Sequence, residues 1–227
     1  MRMIDVILSL TILIFLMPLF IIVVVILRFT GEGKVLYVQS RIGRYGRPFH
    51  IYKFATMLKD SPRIGSGSIT AKNDPRILPV GKYLRASKVN ELPQIINILK
   101  GDMALIGPRP HVERDLLGVS VETQALIQTV RPGLSGVASI IFRDEEKILQ
   151  LFDDPRDIYD NYIAPCKARL EVWYVSNKNF LLDLVLIFCT IQVVLFKSSN
   201  LLFIFYPELR YALDLISEMY IRADGAR

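Results

Sequence analysis

"SKVNELPQIINILKGDMALIGPRP", Ser87–Pro110, brings a carboxylate, a helix pattern, a glycine and a proline-bracketed arginine into 24 residues. Leu92, Ile95, Ile96 and Leu99 fall at i, i+3, i+4 and i+7, one apolar helix face. Asn90 reads as the N-cap, Pro93 is tolerated in a first turn, and Gly101 is a natural stop. The spacing therefore predicts a helix over Glu91–Lys100, with Glu91 where the positive end of the helix dipole favours an anion. "MALI" follows as a short strand running into "GPRP". Helix and strand are both expected in this domain.

Two readings of the charged residues stay open on this stretch alone. Asn90–Glu91 reads either as helix capping or as the working end of a site that handles phosphates. Arg109 is stiffened on both sides by Pro108 and Pro110, which suits bidentate phosphate binding, or else it belongs to an ordinary turn.

Working outward, the 227 residues are 52% hydrophobic with a mean hydropathy of +0.35, oily for a soluble enzyme. Charged residues still make up 22%, which argues against a multi-span membrane protein. Net charge is +6, but it is unevenly spread: Arg28–Lys88 holds 13 Lys/Arg against 3 Asp/Glu. Such a basic segment directly after an apolar one points to an anionic leaflet, phosphorylated ligands, or a solvated basic face. Cys166 and Cys189 lack metal-ligand spacing and read as free thiols in a reducing compartment. His50 and His111 read as isolated structural or surface residues.

Ile4–Leu27 is 24 residues with one charge, Asp5, long enough for about 30 Å of hydrocarbon. Its length and the lack of an A-x-A site argue against a cleaved signal peptide. Pro18 removes a backbone donor inside the run and predicts a kink. Arg28, Lys34, Arg41, Arg44 and Arg47 place the far end in the cytoplasm. A helix that turned back at Pro18 would keep both ends there and dip into one leaflet.

"VLYVQS" and "FHIYKF", separated by Gly43, Gly46 and Pro48, predict a hairpin. Residues 60–76 read as a long polar loop. "RPGLSGVAS" reads as a glycine-bearing turn, and Arg143, Asp144, Glu145 and Glu146 as the start of a solvated helix. Phe180–Phe196 contains Asp183 and Thr190 on one face, an amphipathic helix buried or at the membrane interface.

The motifs in order are "RMIDVILSL", "VLYVQSRIGRYGRPFHIYKFATM", "NDPRILPVGKYLR", "NELPQIINILKGDMALIGPRP", "RPGLSGVAS" and "EVWYVSNKNFLLDLVLI". Over roughly residues 1–195 the chain resembles the bacterial sugar transferase family, the monotopic phosphoglycosyl transferases. The resemblance implies a compact cytoplasmic α/β (α+β) domain with a re-entrant N-terminal membrane helix and interfacial amphipathic helices. The expected division is a membrane helix over 1–30 bent at Pro18, a catalytic domain over 31–200, and a tail over 201–227 that also contacts the membrane. The implied reaction moves a sugar 1-phosphate from a UDP-sugar to undecaprenyl phosphate and releases UMP. It would occur at the cytoplasmic face of the bacterial inner membrane, as the first membrane step of capsule, exopolysaccharide, lipopolysaccharide or glycoprotein assembly. Mg²⁺ is the implied cofactor, and Glu91 its expected ligand. Lys53, Arg85, Arg109 and Arg143 match basic positions expected on phosphates or nucleotide. The partners are the UDP-sugar, undecaprenyl phosphate and phospholipid, with no nucleic acid and with homodimerisation open. The sugar is not readable.

Two positions depart from the family. Its Asp-Glu dyad, whose Asp forms a covalent phosphosugar intermediate, is Asn90–Glu91 here, and an amide is a poor nucleophile. Position 55, usually Arg, is Ala55; losing one charge of each sign leaves the site's net charge roughly unchanged. Glu91 could take over as nucleophile or metal ligand, or Asp144, Glu145 or Glu146 could substitute, or transfer could be direct. The alternative is a catalytically silent homologue that still binds nucleotide sugar or polyprenol phosphate as a membrane-bound assembly protein.

Overall fold

The computed structural model describes residues 1–30, 32–61, 74–112, 119–196 and 200–225, with side chains through 223. Most of the expected polar loop at 60–76 lies outside these residues. Helix α1 (Arg2–Phe29) runs unbroken through Pro18. The predicted hairpin is present: β1 (Leu36–Ile42) pairs antiparallel with β2 (Pro48–Phe54), with Tyr37 opposite Lys53.

After α2 (Pro79–Ala86) the chain departs from the expected helix start. Lys88 adopts left-handed backbone (φ 61), Val89–Glu91 forms a 3-10 turn, and α3 begins only at Gln94 and ends at Lys100. Neither Asn90 nor Glu91 caps it. Pro93 is the physical reason: it has no N–H to give an α-helical bond to Val89, so the turn closes by shorter steps, Leu92 N–H to Val89 O and Ile95 N–H to Leu92 O. Both side chains are thereby released from capping. Gly101 stops α3 as expected, with φ 95.

The sheet content beyond the hairpin is small. β3 (Ala104–Ile106) and β4 (Gly133–Ser135) pair in parallel, Ala104 beside Gly133 and Ile106 beside Ser135. "GPRP" and "RPGLSG" meet here. A Cβ on Gly107 would lie 2.5 Å from Arg131 O, one on Gly133 2.1 Å from Gly107 N, and one on Gly136 2.3 Å from Gly107 O. The two motifs are glycine-bearing because two backbones cross in contact. "RPGLSGVAS" is thus a strand followed by a short helix rather than a turn.

Helices supply the rest: α4 (Val121–Ile127), α5 (Val137–Ile141), α6 (Glu145–Leu149), α7 (Pro155–Ile158), a π-turn (Tyr159–Ile163), α8 (Ala164–Asn177), α9 (Phe180–Phe196), α10 (Asn200–Phe205) and α11 (Tyr211–Gly225). The main core joins Ile98, Met103, Ile106, Ile140, Leu170 and Leu186. Leu202, Leu209 and Met219 extend it into the last helices, so the tail is part of the folded body. The α9 helix has the expected bounds, and its apolar outer face shows Phe188, Ile191, Leu195 and Phe196. Asp183 instead points inward, 2.7 Å from the Tyr174 hydroxyl.

Helix α1 touches this body near both ends. At its start Arg2 donates to the carbonyls of Ile98 and Leu99 at the end of α3, and Asp5 Oδ1 accepts from Leu105 N–H at 3.2 Å. Toward its end Val23 and Leu27 bury against Phe54 and Leu84, with the Phe20 and Phe54 rings 5.4 Å apart. Burying a side chain such as Leu27 stabilises by about 2 kcal/mol. Between these ends Ile14, Phe15, Met17 and Ile21 are exposed, and the helix is long and apolar enough to cross a membrane.

Candidate active site

Three sequence-distant residues meet. Lys53 comes from the end of β2, Glu91 from the 3-10 turn and Arg109 from the loop after β3. Asn97 of α3 stitches the first two together: its Oδ1 accepts from Tyr52 N–H at 3.1 Å and its Nδ2 donates to His50 O at 2.7 Å. Glu91 is thereby held against the strand carrying Lys53. The distances from Glu91 Oε1 are 3.0 Å to Lys53 Nζ and 2.8 Å to Arg109 Nη2, with Arg109 Nη1 at 3.4 Å from Oε2. Arg109 is 38% exposed against 17% for Lys53 and 15% for Glu91, so it is the most accessible of the three side chains.

Burial alone would raise the Glu91 carboxyl, but Arg109 and Lys53 outweigh it and hold it well below the usual carboxylate range. Burial lowers the Lys53 ammonium to about 8, with Arg109 and Arg41 adding to the shift and Glu91 opposing it. The cluster carries one surplus positive charge near neutrality, two cations against one carboxylate. Asn90, 7% exposed, leaves its Oδ1 buried without a hydrogen-bond partner among the described residues.

The other expected residues lie around this cluster in distinct pairings. Arg85 on α2 bridges to Glu146 on α6. Glu145 takes Lys167 of α8 at 2.6 Å and is close enough to raise Arg109 further. Asp144 pairs with Lys147 at 3.0 Å on the surface. Arg143 keeps one buried guanidinium nitrogen, Nη1, without a partner among the described residues. Each of the three substitute acids is therefore already matched to a cation, and Glu145 alone is within electrostatic reach of Arg109. Ala55, where the family usually has Arg, is buried beside the site's strand.

The donor set does not build a resident magnesium site. Mg²⁺ is ordinarily held by one or two carboxylates together with substrate phosphates. Here the one carboxylate of the cluster is neutralised by two cations, its neighbour is an uncharged amide, and no three His, Cys, Asp or Glu side chains converge among the described residues.

Sequence reading missed Lys167 and Glu171, both buried on α8. With Tyr174 they fall at i, i+4 and i+7, on a helix face that also carries Leu170, but charged residues at that spacing read as solvent-facing, and only the structure shows the face to be buried. His111 sits near Arg109, and burial together with Lys167, Arg41 and Arg109 pushes its imidazole down to about 3, so it stays neutral.

This geometry coincides with a family assignment. The bacterial sugar transferase family matches the chain over residues 1–197, and the chain belongs to it. A UDP-N-acetylgalactosamine-undecaprenyl-phosphate N-acetylgalactosaminephosphotransferase of Aeromonas hydrophila is 33% identical over 180 residues, covering 78% of this chain and 39% of that protein. An undecaprenyl-phosphate glucose phosphotransferase of Komagataeibacter xylinus is 30% identical over 203 residues, 87% of this chain and 36% of that protein. The exopolysaccharide production protein ExoY of Sinorhizobium fredii is 31% identical over 213 residues, 88% of this chain and 87% of that protein. The chain thus spans well under half of the first two relatives and most of the third.

Proposed function

We propose that this chain transfers a sugar 1-phosphate from a UDP-sugar to undecaprenyl phosphate at the cytoplasmic face of the bacterial inner membrane, releasing UMP. The observation that carries the reading is the convergence of Lys53 and Arg109 on Glu91 in a member of a family whose relatives bear those substrates in their names. Phosphoryl transfer asks a protein chiefly for positioning and charge neutralisation. Diphosphate oxygens entering the cluster compete with Glu91 for both cations, which then hold the sugar-bearing phosphoryl group. An oxygen of undecaprenyl phosphate attacks that phosphorus, the bond to the UMP oxygen breaks, and UMP leaves with the electron pair. Asn90 supplies no nucleophile, and Asp144, Glu145 and Glu146 are each paired with a cation, so the transfer we propose is direct, with Glu91 balancing the two cations rather than attacking. Contact of both ends of α1 with one folded body supports a re-entrant rather than a spanning helix, which keeps the site at the leaflet surface.

The buried, uncharged Asn90 favours a second reading, a silent homologue that binds these ligands without turnover. UMP release from a panel of UDP-sugars, with and without undecaprenyl phosphate, separates them. Release only with acceptor supports direct transfer, and a stoichiometric burst without acceptor replaces it by a covalent route. Turnover by Asn90→Asp but not by the unaltered chain identifies the silent homologue.

A further inference from the structure

Arg109 is held from behind by α8. Pro108 and Pro110 have no backbone N–H, so the segment Pro108–Pro110 has one main-chain donor, that of Arg109. Glu171 takes it, Oε1 accepting at 3.2 Å. One turn along the same helix, the Tyr174 hydroxyl lies 3.2 Å from Ile106 O, at the other end of Ile106–Arg109. The carbonyls of the proline pair are also held, Pro108 O by Gly133 N–H at 2.8 Å and Pro110 O by an Arg41 guanidinium N–H at 3.1 Å. The Arg109 backbone is therefore fixed from several sides, and only its side chain is left to reach Glu91. Glu171 is 1% exposed and its second oxygen finds no partner among the described residues. A buried carboxyl with a single long hydrogen bond is a costly way to fill a core.

We infer that Glu171 is a positioning residue for anion binding: by holding the Arg109 N–H it sets where the Arg109 guanidinium points. The inference rests on the reading of Arg109 as a phosphate ligand.

The test uses the full chain in detergent with Glu171→Leu, Glu171→Gln, Arg109→Ala and the double variant Glu171→Leu/Arg109→Ala. Binding is titrated with UDP and, separately, with sulfate alone, and amide exchange is followed across residues 105–110. Glu171→Leu is expected to speed Arg109 amide exchange roughly 100-fold. It should weaken binding of both probes roughly tenfold, approaching Arg109→Ala, and cost little more in the double variant, because both changes remove the same contact. Glu171→Gln, which keeps the acceptor oxygen, should restore both readouts. Should Glu171→Leu fail to fold, Glu171→Met, closer in size and also without an acceptor oxygen, takes its place with the same expectations. Losses that simply add, or unchanged binding in the apolar variant, would overturn the inference. Failure of sulfate to bind at all also overturns it. UDP binding no tighter than sulfate instead sinks the nucleotide reading, while the sulfate cycle still decides the role of Glu171.

Discussion

Glu91 balances two cations with a single carboxylate, and the residues around it set what each substitution should do. Glu91→Gln leaves Lys53 and Arg109 close together without a counter-charge and should cost about 3 kcal/mol. Sulfate should recover much of that loss and raise the melting temperature of the variant more than that of the unaltered chain; equal shifts would contradict an anion receptor. Asn90→Asp places a carboxylate where the amide oxygen already lacks a donor, so it should lower stability by about 1–3 kcal/mol without added ions. Mg²⁺ should raise the melting temperature of Asn90→Asp and leave the unaltered chain where it was, which differential scanning fluorimetry reads directly.

Glu171 gives a pH signature. Burial pushes its carboxyl from 4.5 up to about 7, against the opposing Arg109 N–H and the charges of Lys167 and Arg109. The folded protein therefore binds this proton more tightly than the unfolded chain. That contribution is complete below pH 4.5 and is lost as pH rises through about 7, amounting to about 3 kcal/mol. Unaltered chain minus Glu171→Gln in denaturant titrations should trace this loss, and a flat difference would refute it. At this scale Arg109 was legible because two prolines advertise a fixed backbone. Glu171 was not, because charged residues on a helix ordinarily face water and nothing in the local pattern says that this face is covered.

Among the elements, the crossing of the segments after β3 and before α5 governs the site's rigidity. Gly107, Gly133 and Gly136 approach so closely that any side chain would overlap backbone, which cannot swing away. Gly107→Ala or Gly133→Ala should therefore cost about 3 kcal/mol or prevent folding. Gly101→Ala should cost only about 1 kcal/mol, since its φ of 95° is strained but the nearest neighbour is the flexible end of Arg2. Denaturant melts of the three variants rank these effects.

The hairpin and α9 were readable because alternation and apolar length are local signals. The start of α3 was misplaced because Pro93 was read as a tolerated first-turn residue, whereas its missing N–H displaces the whole start. The β3–β4 pair was half-visible: its glycines stood out in the sequence, but their meeting depends on residues some 25 positions apart.

For the molecule as a whole, the apolar N-terminal helix and the polar domain pack together near both ends of the helix. Met3 and Phe29 are exposed at opposite ends of α1, at 78% and 84%. Met3→Cys and Phe29→Cys should both react with an impermeant maleimide in inside-out vesicles and not in right-side-out ones; labelling from opposite sides would show a spanning helix. The native thiols give little background, since both Cys166 and Cys189 are buried.

The same two-ended attachment bears on how the chain can be divided. Removing residues 1–30 would strip Leu27 and Val23 from Phe54 and Leu84, and would leave the Leu105 N–H without its Asp5 acceptor one strand away from Arg109. A shortened, water-soluble version therefore gains tractability by opening a hole in its own interior. Purification, assay and inhibitor screening are better served by keeping the full chain in detergent or nanodiscs.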